Sequence, residues 1–356
     1  MHNFMNLFKG KRVLVTGDTG FKGSWLSFWL HELGADVVGL SLPPYSDKDH
    51  YCVINLEELI HHINCDIREH SDVEDVFQNF QPEFLFHLAA QPLVRYSFQE
   101  PKLTFDTNLG GSINILEVAR NTPSLKSIIF VTSDKCYQNN EWVWGYRETD
   151  RLGGHDPYSA SKAAAELVFA AYQKSFFSKN SSIGVASVRA GNVIGGGDWA
   201  KDRIVPDSIK SILNNVPIKI RSPKSTRPWQ HVLEPLSGYL KLSAYLFNDP
   251  TLYSGAWNFG PSSHSFASVQ DLVDLIVNLW GKGNVIVNED PSLHEANLLH
   301  LNCDKAHNFL KWFPRWDFIE TVNNTVQWYK DTSIGKSGRL ITHEQIKHFM
   351  KEDYDD

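Results

Sequence analysis

Tyr158 and Lys162 stand four residues apart in "DPYSASKAAAELV", a stretch rich in helix formers, so both side chains project from one helical face. A free phenol titrates near about 10, and a neighbouring ammonium favours its phenolate, so the pair has the makings of a base. A second group, Ser133, Asp134 and Lys135 in "VTSDKCY", places a hydroxyl, a carboxylate and an ammonium side by side after an apolar run that reads as a strand. In an open parallel sheet the carboxyl ends of strands face the ligand crevice, which is where such a triplet would be useful. The plainer alternatives are a chance spacing in a helix and an ordinary Asp134–Lys135 ion pair at a strand end.

These groups need a scaffold. From Arg12 to Arg189, short apolar runs alternate with longer amphipathic segments, the pattern of βα units winding a parallel sheet. The expected strands are "RVLVTG", "DVVGL", "HHINCDI", "EFLFHLA", "SIIFVTS" and "GVASVRA", and helices are expected to begin near Gly20, Ser71, Thr104 and Pro157, the last with proline in its first turn. Beyond Arg189 the alternation gives way to "GNVIGGGDW" and proline-punctuated short elements, which points to a smaller, mixed α/β lobe. The acidic end "KEDYDD" reads as a solvated, frayed tail.

At 356 residues the chain is long enough to bury about three quarters of its unfolded surface. A formal charge of −7 argues against a basic nucleic-acid binder, so any anionic ligand must meet a local cationic pocket. Cys52, Cys65, Cys136 and Cys303 are scattered without CxxC pairs, indicating neither a metal site nor a disulfide framework. The N-terminal stretch runs into a strand without a long apolar segment, so the expected location is cytoplasmic, with no membrane partner.

"VTGDTGFKGSWL" sets Gly17, Gly20 and Gly23 between the first strand and the first helix. Such a turn lets backbone approach a pyrophosphate, which then rests on the N–H groups of the helix start. The chain is therefore expected to fold as a Rossmann-type doubly wound parallel α/β sheet with a smaller C-terminal lobe. Residues 1–190 would form the dinucleotide domain, with a return segment near 226–258, and 191–225 with 259–356 the substrate lobe. The expected cofactor contacts are Gly17, Gly20, Phe21, Lys22 and Gly23 at the turn, then Ser41, Asp66 and Ile67, then Leu88, Ala89, Ala90 and Gln91, with Tyr158 and Lys162 beside the nicotinamide. The second strand ends "GLSLPP", without the usual acidic ribose partner and without arginine, which favours NAD over NADP and leaves Ser41 as a substitute hydroxyl.

With these motifs in place, the chain resembles the extended short-chain dehydrogenase/reductase superfamily and, within it, the nucleotide-sugar 4,6-dehydratases. The resemblance runs over nearly the whole length through "TGDTGFKG", "HLAAQPLV", "TNLGGSINILEVAR", "VTSDKCY", "DPYSASK", "RAGNVIGGGDW", "RPWQHV" and "HEANLLHLNCDKA". The phrases "TSDKCYQNNEWVWGYRE" and "GGGDWAKDRIVPD" look most like the CDP-glucose branch, which carries Ser-Asp-Lys where the wider family has Thr-Asp-Glu. The resemblance implies CDP-glucose as substrate and an internal redox sequence through NAD. Tyr158, helped by Ser133, takes the 4-hydroxyl proton while hydride leaves C4; Lys135 removes the C5 proton; Asp134 protonates the departing C6 hydroxyl; hydride returns to C6. A free ammonium titrates near about 10.4, so the base role asks for desolvation and neighbouring positive charge.

The resemblance also carries Asn192 and Arg227 onto phosphate-binding positions and places Asp198, Trp199 and Arg203 around the substrate cavity. Arg221 and Lys224 add cations nearby. Trp142, Trp144 and Tyr146 either wall the sugar site or anchor their own loop. Asp18 puts a carboxylate in the glycine turn and is expected to point away from the phosphates. A homodimer is implied, with the helices from Thr104 and Pro157 meeting their mates in a four-helix bundle, and deoxysugars of a bacterial surface polysaccharide as the destination. A nucleotide-sugar 4-epimerase shares the fold, cofactor and Tyr158 with Lys162, and a nonenzymatic NAD-dependent regulator is the rival from another class.

Overall fold

A computed structural model describes residues 4–178, 182–262, 265–288 and 298–351. The acidic end beyond Lys351 and residues 294–297 of "HEANLLHLNCDKA" lie outside the described residues. Six strands, β1 (Arg12–Thr16), β2 (Asp36–Ser41), β3 (His61–Asn64), β4 (Phe84–His87), β5 (Ser127–Val131) and β6 (Gly184–Arg189), join a later one, Gly255–Asn258, in a single sheet. Its order is Gly255–Asn258, β6, β5, β4, β1, β2, β3, and every neighbouring pair is parallel.

Alternation along each strand sorts its side chains into two core layers. Val13 and Val15, Phe84 and Phe86, Ile129 and Val131 enter one layer. Leu14, Leu85, Ile128 and Phe130 enter the other. Helix α1 (Phe21–Glu32) covers the first layer with Trp25 and Trp29, and the helices His70–Phe80, Ser112–Arg120 and Pro157–Tyr172 cover the second. This is the Rossmann-type doubly wound arrangement that the alternation leads one to expect.

Two helices start as expected, α1 directly after Gly20 and the Pro157–Tyr172 helix at its proline, while that near Ser71 starts one residue earlier, at His70. The one expected near Thr104 begins instead at Pro101 and widens into a π-helical stretch over Asp106–Gly111 before continuing as Ser112–Arg120. Gly111 lies there against the loop after β3, where an added Cβ would meet Ile67 at 2.5 Å. The chain returns to the sheet through the helix Leu233–Asn248, packed on β5 and β6, and the strand Gly255–Asn258. The rest of the C-terminal half forms two-stranded ribbons and the helices Ile204–Leu213, Val269–Trp280, Phe318–Ser333 and Gly338–Lys351, whose core is continuous with the α1 layer through Trp316 and Trp328. Among the described residues no helix is long and apolar enough to cross a membrane, and no cluster of three or more His, Cys, Asp or Glu could hold a metal.

Candidate active site

Beyond β5 the chain turns through a single 3-10 turn, Asp134–Cys136, capped by Ser133. Ser133 Oγ accepts from the Lys135 backbone N–H at 3.2 Å and donates to Asp134 Oδ1 at 2.9 Å. Asp134 is buried, and its carboxylate occupies the space above Gly191, where an added Cβ would fall 1.9 Å from Oδ2. Lys135 is half-buried and forms no ion pair among the described residues, so the ordinary Asp134–Lys135 pair is not made.

Asp156 caps the next helix by accepting from Ser159 N–H at 2.9 Å, which fixes where Tyr158 and Lys162 leave it. Both are buried on one face. Burial pushes the Tyr158 phenol up to about 12, while hydrogen bonding to Ser133 and the Arg203 charge pull the other way. Burial pulls the Lys162 ammonium down to about 8, opposed by Glu166. Glu166, one turn beyond Lys162, is itself buried and holds Arg189 of β6 through Nε at 2.9 Å and Nη2 at 2.7 Å. Arg189 Nη1 donates to Tyr137 Oη at 2.6 Å, and Tyr137 donates to Asn258 at 2.8 Å, so this pair ties helix, sheet and triplet loop together. Sequence reasoning passed over Glu166, although its i+4 spacing from Lys162 was a usable signal.

At the glycine turn, Gly17 has φ +80°, and a Cβ there would meet Ala89 N at 2.8 Å; one on Gly23 would meet Gly17 O at 1.9 Å. Gly20 brings no capping side chain to α1, whose first turn also lacks acidic residues. The turn thus has the closeness and the free helix start that a dinucleotide's pyrophosphate requires. Phe21 opens α1, and its ring packs near Gly195. Lys22 follows, half-buried, its ammonium pulled down to about 8 by burial and Arg203, with Asp134, Lys162 and Asp198 also within electrostatic reach. Asp18 turns inward and is fully buried. Asp66 accepts from Arg68 Nε at 3.0 Å, and that pairing holds its carboxyl below the usual range. Leu88 and Ala89 give their N–H groups to Thr16 Oγ1, each at 3.1 Å, leaving Ala90 half-buried beside them. Gln91 is committed to packing: its N–H donates to Asn108 at 2.7 Å and its Nε2 to Thr104 at 2.8 Å.

The "GGGDWAKDR" loop closes the other side. Asp198 pairs with Arg203 at 2.8 Å, and Tyr329 Oη donates to the Asp198 carbonyl at 2.6 Å. The Trp199 ring meets Tyr329 edge-on, and Arg95 reaches Asp202 at 2.8 Å. Lys22, Asp134, Tyr158, Lys162, Asp198 and Arg203 are thus brought together. Asn192, at φ +49°, lies just past Gly191, and Arg227 sits on another element, the strand Thr226–Pro228. The aromatic cluster resolves toward self-anchoring: Tyr146 stacks between Tyr137 and Trp142, and Trp144 is exposed.

Residues 14–325 match the family model described as GDP-mannose 4,6 dehydratase. The chain is 45% identical over 350 residues, 97% of its length and 98% of the relative's, to a CDP-glucose 4,6-dehydratase of Salmonella typhimurium. It is 25% identical to a CDP-paratose 2-epimerase of Salmonella typhi, over 89% of this chain and 98% of that one. Among solved structures, a dTDP-glucose 4,6-dehydratase of Bacillus anthracis in complex with NAD superposes with a TM-score of 0.77 at 21% identity, covering 93% of this chain and 100% of that one. A dTDP-glucose 4,6-dehydratase of Streptomyces venezuelae gives 0.78 at 20%, covering 90% and 97%. The two structures establish the shared fold, and the family model with the 45% relative goes further: this chain belongs to the GDP-mannose 4,6 dehydratase family.

Proposed function

We propose that the protein is a CDP-glucose 4,6-dehydratase, converting CDP-glucose to CDP-4-keto-6-deoxyglucose and water with NAD held at the glycine turn. The observation that supports this most is the meeting of Tyr158 and Lys162, from a helix, with Ser133 and Asp134, from a strand end, in one buried cluster. The full-length relative carries the same activity in its name.

Bound NAD supplies the acceptor, and later the donor, of one hydride. Tyr158 takes the 4-hydroxyl proton as hydride leaves C4, with Ser133 as its hydrogen-bonding partner and the Arg203 and Lys162 charges favouring phenolate. The new C4 carbonyl acidifies the C5 hydrogen. Lys135, not engaged with a carboxylate, takes that proton as the free amine, and Asp134, starting as the carboxylic acid, gives one to the C6 hydroxyl, which leaves as water. Hydride given back at C6 would leave the cofactor unchanged; the proton on Lys135 goes to C5, and the one Tyr158 took passes to Asp134, which restores both groups. Asn192 and Arg227 hold the substrate pyrophosphate, where a guanidinium offers two parallel hydrogen bonds. Asp198, Trp199 and Arg203 close over the sugar.

The protein acts in the cytoplasm as a homodimer built on the Asp106–Arg120 and Pro157–Tyr172 helices, supplying deoxysugar for a surface polysaccharide. Its acidic balance offers nucleic acid no electrostatic footing. Purified protein incubated with CDP-glucose and NAD in D2O should yield the 4-keto product, read by its absorbance in alkali, with deuterium at C5. A hexose interconverted without loss of water would indicate an epimerase. Silence with every nucleotide sugar would indicate a nonenzymatic regulator.

A further inference from the structure

The strand β2 ends Leu40–Ser41, followed by Leu42, and offers no carboxylate of its own where an adenosine ribose would approach. The carboxylate comes from elsewhere. Asp18, in the glycine turn, is fully buried and accepts from Ser41 Oγ at Oδ1, 2.9 Å, and from His62 Nδ1 at Oδ2, 2.8 Å. Gly39 is what lets it reach there. That residue pairs with Val15 on one side and His62 on the other, and a Cβ on it would lie 2.1 Å from Asp18 Oδ2. Any other residue at position 39 would expel the carboxylate from beneath the end of β2.

Resting on the reading that the glycine turn holds a dinucleotide, we propose that Asp18, acting through Ser41, selects the dinucleotide: it turns the end of β2 into a surface of hydrogen-bond acceptors that takes a free ribose 2′-hydroxyl and rejects a 2′-phosphate. A serine hydroxyl has one proton, and the charged acceptor Asp18 draws it inward in preference to the Leu42 carbonyl at 3.1 Å. Thr19 Oγ1 lies 2.8 Å from both Ser41 Oγ and the Leu42 carbonyl, so its proton is also directed within the protein. Ser41 and Thr19 each keep a sliver of exposure, 7% and 9%; the Thr19 backbone N–H donates to Ser41 Oγ at 3.4 Å, and with both hydroxyl protons directed inward the capacity left to these oxygens is to accept. A ribose hydroxyl donates to such a surface. A phosphate, which only accepts, finds no donor, and its charge faces a carboxylate screened by little water. The arginine after β3, Arg68, is already held by Asp66 through Nε at 3.0 Å and Nη2 at 2.5 Å.

The test is direct titration of the cofactor-free protein with NAD and with NADP, followed by tryptophan fluorescence or calorimetry without substrate, alongside circular dichroism to verify folding. The wild type should prefer NAD by well over tenfold. Asp18→Asn removes the charge and gives Ser41 an amide donor, so that its hydroxyl turns outward; the preference should shrink by about tenfold, the worth of roughly 1.4 kcal/mol, with NADP affinity rising. Should that variant fail to fold, Ser41→Ala serves instead, losing NAD affinity several-fold while leaving NADP binding where it was. An unchanged NAD/NADP ratio in folded Asp18→Asn, or equal loss of both cofactors in Ser41→Ala, overturns the inference while leaving the dinucleotide reading intact. A wild type that binds neither cofactor overturns both.

Discussion

Replacing Gly191 with alanine should separate the two halves of the proposed reaction. The new methyl would lie 1.9 Å from Asp134 Oδ2 and 2.3 Å from its Cγ, where ordinary contact begins at 3.4 Å, so the carboxylate must move by more than an ångström. In moving it surrenders the Ser133 hydrogen bond now at 2.9 Å. Overpacking of this kind costs about 1–3 kcal/mol, a fraction of the roughly 5–15 kcal/mol that holds a domain folded, so the variant should remain native. Catalysis is less tolerant, because misplacing a reacting group by about 1 Å costs on the order of 100-fold. The three atoms nearest the new methyl all belong to Asp134, so oxidation at C4 should persist while protonation of the C6 hydroxyl fails. A single-turnover experiment reads both: reduced-nicotinamide absorbance for the first hydride transfer, and absorbance in alkali for the finished 4-keto-6-deoxy sugar. Reduced cofactor should accumulate as product formation drops about 100-fold. Product formation at the wild-type rate, or an equal fall in both signals, would refute the assignment of Asp134 to the elimination step.

Lys135→Ala should abolish water loss and deuterium incorporation at C5 while sparing some C4 oxidation; unchanged turnover would assign the C5 proton to another group. Glu166→Gln leaves the Arg189 guanidinium buried without its counter-charge, and urea titration should find a loss of about 3–5 kcal/mol. A loss below about 1 kcal/mol, the range of a surface pair, would mean that the network is not holding helix to sheet. Lys22 and Lys162 are pulled down to about 8 in the fold, whereas an unfolded lysine titrates near about 10.4. Between those values each of these lysines is protonated in the unfolded chain and not in the native one, so each contributes stability that grows with pH across that window, against the opposite slope of the thiols of Cys65, Cys136 and Cys303, which burial pushes up. The melting temperature of the wild type should therefore gain on that of Lys162→Met as pH rises from 8 to 10, and a gap that stays constant or narrows would contradict this.

Much of the scaffold was legible because its signals are local. Short continuous apolar runs at Val13–Val15 and Phe84–Phe86 place strands, proline at 157 and aspartate at 156 start a helix, and a reactive triplet after a buried run marks a crevice. Less legible was whatever depends on two distant segments crossing. The π-helical stretch at Asp106–Gly111 answers to Ile67, the strand Gly255–Asn258 joins the sheet from beyond the alternating region, and the Asp198–Arg203 loop is clasped by Arg95 and Tyr329.

Glycine shows the boundary between the two kinds of signal. Gly17, Gly20 and Gly23 declare themselves, since their spacing between strand and helix is enough to name a turn. Gly39 and Gly191 carry no comparable mark, one lying in mid-strand and the other in a loop with other glycines nearby. Each has the same physical reason for lacking a side chain: a carboxylate from another segment, Asp18 or Asp134, occupies the space. An isolated glycine inside a strand therefore signals a close approach whose partner the sequence does not name. Here both partners are acids at the rim of one crevice. The same device, a vacated Cβ beneath a buried carboxylate, thus sets the proposed proton donor at one end of the site and the proposed cofactor selector at the other.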